Sequence, residues 1–200
     1  MKKLLLFVAI FCHSLYSYSQ CNNLFISEYI EGSGNNKAIE IYNPTGFTVP
    51  LTGNFTLRMY FNGSATPTSF PLTGTIAPNS AFVICTTTSD PAILAQADQT
   101  SAASWFNGDD AIELYNSLLG ASVDVIGVIG VDPGTEWTVN GTSGTSNHTL
   151  VRKVNIQSPN TVWTASGELG WDVFAQDDFT HIGTHTMNPC ATPSVVTDFT

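Results

Sequence analysis

Ala38-Ile39-Glu40-Ile41-Tyr42-Asn43 and Ala111-Ile112-Glu113-Leu114-Tyr115-Asn116 are one six-residue pattern met twice, differing only at Ile41 against Leu114. In each copy two aliphatics alternate with Ala, Glu and Tyr. Period two is the spacing of a β-strand, whose successive side chains point to opposite faces. The aliphatic set reads as facing a core, and the Ala, Glu and Tyr set as facing water or a polar rim. Each copy follows a polar, turn-prone run, Gly34-Asn35-Asn36-Lys37 in one case and Asn107-Gly108-Asp109-Asp110 in the other. The chain therefore announces two similar strands of an all-β domain.

Working outward, Leu24–Ile30 reads as a strand before the first copy, and Phe55–Phe61 and Ala81–Cys85 as strands after it. Asp90 can cap and Pro91 can open a short helix over residues 91–97. Ser122–Ile129 reads as the hairpin partner of the second copy across Ser117–Gly120, and Thr149–Lys153, Trp171–Phe174 and Phe179–Thr186 as late strands. Roughly nine short strands with frequent turn signals and one minor helix predict a β-sandwich.

The ends differ from this pattern. Met1-Lys2-Lys3, the apolar run Leu4–Phe11 and the small residues Ser17 and Ser19 predict a Sec signal peptide over 1–19, cleaved after Ser19. That run is far short of the ~20 residues a membrane span needs. A domain over 20–190 and a polar tail over 191–200 complete the division. The 200-residue chain has a net charge of −10; beyond residue 19 it keeps four bases against sixteen acids, hence −12. No basic patch can be built from that, which argues against direct nucleic-acid binding.

Cys21, Cys85 and Cys190 fall within the exported part. Cys85 lies in an apolar strand and reads as a buried free thiol. Cys21 and Cys190 flank the patterned region, and because domain ends often lie close together they are expected to pair as a disulfide. A cysteine after a signal can instead be lipidated, but Gln20 is not the small residue that lipoprotein signals carry there.

Several runs together resemble one family. They are Leu24-Phe25-Ile26-Ser27-Glu28-Tyr29-Ile30-Glu31-Gly32, Asn35 through Asn43, Phe106 through Leu114, Val123-Asp124-Val125-Ile126-Gly127, Thr149-Leu150-Val151-Arg152-Lys153 and Phe179 through His185. In this order they are similar to the bacterial lamin tail domain. The resemblance implies an immunoglobulin-like β-sandwich. It also implies an exported, non-catalytic module for surface attachment or substrate recruitment, of the kind often placed ahead of secreted nucleases or other hydrolases.

The residues themselves offer little chemistry. His181 and His185 have the four-residue spacing of a helical zinc pair, but on a strand they stand ~13 Å apart and read as solvent-side histidines. Gly141-Thr142-Ser143-Gly144 is not a nucleophile elbow. No enzyme is expected from this inventory. Asp109, Asp110, Asp132 and Glu136 are calcium candidates, although paired acids in turns more often make turn hydrogen bonds or face water. Trp137, set between two turns, is the indole expected to be most exposed. With Trp105, Trp163 and Trp171 it can form a sugar-stacking platform, which makes a carbohydrate-binding module the alternative reading, against the commoner use of tryptophan in cores. An accessory domain or fragment of a secreted hydrolase is the third.

Overall fold

The computed structural model describes residues 21–164 and 166–190. The signal peptide expected over 1–19 and the tail expected over 191–200 lie outside the described residues. The strands in chain order are β1 (Phe25–Glu31), β2 (Lys37–Asn43), β3 (Val49–Pro50), β4 (Phe55–Tyr60), β5 (Thr68–Pro71), β6 (Thr75–Ile76) and β7 (Ser80–Thr86). After helix α1 (Pro91–Leu94) come β8 (Gln99–Ser101), β9 (Ala111–Asn116), β10 (Ala121–Ile126), β11 (Thr138–Val139), β12 (Ser143–Gly144), β13 (Thr149–Arg152) and β14 (Trp171–Phe174).

Two sheets dominate. The larger has the order β14-β13-β1-β2-β7-β8 and the smaller β10-β9-β4-β5. The twin hexapeptides form β2 and β9, a central strand of each sheet. Their aliphatics meet in one interior, where Ile39, Ile41, Ile26 and Ile84 face Ile112, Leu114, Leu57 and Met59. Removing each such side chain from water contributes about 1.5–3 kcal/mol. This is the all-β sandwich that the strand pattern predicts, immunoglobulin-like as the family resemblance implies.

The outer face of the larger sheet departs from the expectation. Ala38, Glu40 and Tyr42 are buried, as is Glu113 on β9. A second apolar cluster covers Ala38, which with Ile30, Val83 and Cys85 lies under Ile93 of α1 and Ile182, with Phe179 alongside, while the His185 ring lies on Tyr42. The sandwich thus carries a third, thin layer. Its covering strap, residues 179–190, is not the expected strand over Phe179–Thr186. Asp178 turns the chain by accepting from the Thr180 amide and hydroxyl, Gly183 bends it at φ 98°, and the Gly183 amide donates to Glu40 at 2.7 Å instead of to a ladder. The helix over 91–97 is observed only as α1, capped by Asp90, which accepts from the Ala92 amide.

A disulfide joins Cys21 to Cys190 with Cα atoms 6.0 Å apart, fastening the strap's end beside the start of β1. Cys85 is a buried free thiol. The sheets are also joined through charge. Asp124, at an irregularity of β10, accepts from the Ile26 amide at 2.8 Å and from Arg152 Nη2 at 2.5 Å. Arg152 Nε donates to the Ile26 carbonyl, and its guanidinium lies over the Trp171 ring, 3.9 Å from the centroid. Both ionic side chains are essentially inaccessible to water.

Candidate functional site

The main cleft opens where β1 turns into β2. Three segments make it: the turn through Gly34 and Asn35, the end of β7 with Thr87 and Thr88, and the crossing from β8 to β9 over Ser101–Asn107. Its volume of about 640 Å³ lies in the range of small-molecule sites. Hydroxyls hold the turn against β7, as Thr86 Oγ1 and Ser89 Oγ both donate to the Asn35 carbonyl, at 2.7 and 3.1 Å. The crossing segment is fixed by aromatics. Phe106 stacks on Tyr29 with centroids 4.7 Å apart, and Trp105 lies against Phe70 and Phe106 at 5.7 and 5.8 Å.

The electrostatics of this cleft are nearly neutral. Lys37 is the one ionisable side chain among its lining residues. Its ammonium is already occupied by the Glu31 carboxylate and, at 2.7 Å, by the Gly32 carbonyl. The Trp105 indole N–H is buried and, among the described residues, has no hydrogen-bond acceptor.

The residues singled out from sequence lie elsewhere. Trp137 is only 6% exposed, which corrects the expectation of an open indole. Its ring fills a slot left by Gly127, where an added Cβ would lie 2.5 Å from Nε1, and its N–H donates to the Asp110 carbonyl at 3.1 Å. It has no face to offer a ligand.

The calcium candidates do not converge. Asp110 is buried and accepts from the Asn62 and Asn107 amides, and burial pushes its carboxyl above the ordinary value. Asp132 accepts from the Gly134 amide in an exposed turn, Glu136 from the Ser146 amide, and Asp109 has a buried oxygen without a donor among the described residues. Among the described residues, no three His, Cys, Asp or Glu side chains group as a metal would require.

The histidines also differ from expectation. His185 is not on the solvent side. Its ring meets Phe25 and Tyr42 edge-on, at 5.6 and 5.0 Å. Its Nε2 is buried without a partner among the described residues, and burial, with the Arg152 charge, lowers its pKa to about 4. His181 lies against Phe174, and His148 Nδ1 is 2.7 Å from the Ser146 carbonyl.

Beneath the strap lie two glutamates on adjacent strands, Glu28 opposite Glu40. Glu40 accepts from the Ser27 hydroxyl at 2.6 Å and from the Gly183 amide. Among the described residues neither oxygen of Glu28 has a partner, and burial, then the charges of Glu40 and Asp178, push its pKa up to about 9. A carboxyl of this kind is protonated at neutral pH, and Glu28 is only 1% exposed. The sequence alone singles out neither Glu28 nor the Asp124–Arg152 pair, and it offers Trp105 only as one of four candidate stacking tryptophans. The only signal for the ion pair was one acid and one base inside otherwise apolar strands.

The model of the lamin tail domain family matches residues 17–130, which spans β1 through β10. No curated protein matches the chain. The mostly β-strand, two-sheet architecture is consistent with the family match, and the chain belongs to the lamin tail domain family.

Proposed function

We propose that this chain is an exported, non-catalytic binding module that meets its ligand in the cleft between the β1–β2 turn and the Ser101–Asn107 crossing. The carrying observation is the character of that cleft. It is large enough for a small ligand, yet its walls are hydroxyls, amides and one indole, without a nucleophile and base within reach of each other. A signal over 1–19 and the Cys21–Cys190 disulfide suit an oxidising compartment outside the cytoplasm. Surface attachment or recruitment of a substrate is the corresponding role.

Sedimentation with insoluble envelope material from the producing cells tests this reading. The chain is expected to pellet with the envelope, and Thr87→Tyr, which places a ring in the cleft mouth from an exposed position, to leave it in the supernatant. Equal pelleting of both proteins would remove the cleft from the function. Turnover of nucleic acid or ester substrates by the purified chain would remove the non-catalytic part.

A further inference from the structure

The geometry points to an uncharged saccharide as the ligand of this cleft, with Trp105 as its stacking platform. The inference rests on the binding reading above and adds the ligand's chemical class.

Charge excludes most alternatives. An anionic ligand needs a free cation, and the only one lining the cleft, Lys37, is held by Glu31 and the Gly32 carbonyl. A cationic ligand needs a carboxylate, and none lines the cleft. The surrounding surface belongs to a chain with sixteen acids and six bases, whose field repels anions before contact. What remains is a neutral molecule.

The lining then indicates what kind of neutral molecule. Thr87, Thr88 and Ser104 are exposed at the cleft, and among the described residues their hydroxyls make no hydrogen bond within the protein. Each can both donate and accept, which matches the hydroxyls of a sugar. A purely apolar ligand would leave these groups desolvated and unpaired, at a cost that disfavours it.

Trp105 supplies the complementary surface. It is half-buried and braced by Phe70 and Phe106, so its ring loses little freedom on binding. A flat apolar ring beside free hydroxyls suits a pyranose, whose axial C–H bonds make one face apolar while its rim carries hydroxyls.

The other three tryptophans make the test specific. Trp137, Trp163 and Trp171 are all buried, so a ligand-induced change in indole emission reports on Trp105. The full chain would be titrated with neutral hexasaccharides of glucose, mannose and N-acetylglucosamine, and with hexagalacturonate as the charged control. At least one neutral sugar is expected to shift the emission saturably, with hexagalacturonate without effect. Calorimetry with Trp105→Ala should show that affinity reduced by about tenfold or more. Because Trp105 also braces the crossing segment, Ser104→Tyr provides a second variant at an exposed position. It should abolish binding while leaving the circular dichroism unchanged.

Three outcomes would overturn the inference: no neutral sugar bound, hexagalacturonate bound as well as the neutral sugars, or binding unaffected by both variants. If envelope pelleting still depends on Thr87 while the neutral sugars fail, only the ligand class falls. If pelleting fails too, the cleft reading falls with it.

Discussion

Glu40 and Glu113 hold the same place in twin hexapeptides, with 1% and 2% of their surface exposed, yet they are buried in different ways. Glu40 lies under a roof, with the strap's Gly183 amide and the Ser27 hydroxyl as donors and a second carboxyl, Glu28, opposite it. Glu113 has no such roof. Neighbouring strands cover it from the same face: Tyr60 donates its hydroxyl at 2.6 Å, Ser122 donates from β10, and Arg58 adds its charge while lying 3.2 Å from the centre of the Tyr115 ring. The sequence of a strand sets which face is apolar. What covers the other face depends on elements far away in the chain.

The largest effect should come from uncoupling the two sheets that these strands centre. Asp124→Ala leaves the Arg152 guanidinium buried without its counter-charge, and the expected cost is about 3–5 kcal/mol. Denaturant unfolding measures it. Retention of wild-type stability would show that the ion pair does not join the sheets.

Next in size is the roof over β2. Cys21→Ser with Cys190→Ser frees the strap's end, at about 2–4 kcal/mol. Hydrogen exchange should then rise at β2 and β7 while β9 and β4 stay protected. A uniform rise across both sheets would contradict the local role of the strap.

Glu28→Gln sharpens the contrast through pH. The folded carboxyl keeps its proton up to about 9, whereas in the unfolded chain it ionises near 4.5. The stability it supports is therefore complete below 4.5, erodes as pH rises, and is lost above about 9. Glu28→Gln removes this erosion and should be the more stable protein by about 2 kcal/mol at pH 7, converging with wild type toward pH 4. His185 acts with the opposite sign. Its contribution is present above 6.5 and is lost as pH falls through about 4, so His185→Phe should flatten the acid limb. Thermal melts between pH 3 and 10, compared as differences from wild type, check both.

The smallest effect is at Glu113→Gln. The amide oxygen can still accept from Tyr60, and the lost charge partner, Arg58, is partly exposed, so the cost should be about 1 kcal/mol or less. A larger loss would mean that β9's cover is as cooperative as β2's roof.

The contrast also marks what could be read in advance. Period-two aliphatics in the hexapeptides placed both strands and the shared interior, because that spacing has one structural meaning. Flanking positions were enough to pair Cys21 with Cys190. From sequence the strap reads as a strand because apolar residues at Phe179 and Ile182 suggest pairing, while the Gly183 amide goes to a glutamate more than a hundred residues away. Trp137 was misplaced because turn neighbours suggest exposure, and only the packed structure reveals the Gly127 slot. The cleft was invisible for a simpler reason. Its walls come from three separated segments of Ser, Thr and Asn, and such residues look the same in any loop.

The Cys21–Cys190 bond has a consequence for orientation. Both cysteines sit by the start of β1, while the cleft opens past its far end, and seven residues of strand at ~3.3 Å each separate them by more than 20 Å. The pinned end of the strap and the Thr- and Ser-lined mouth therefore occupy opposite ends of β1. Under the attachment role proposed above, an anchor joined beside the disulfide would leave the mouth free at the other end.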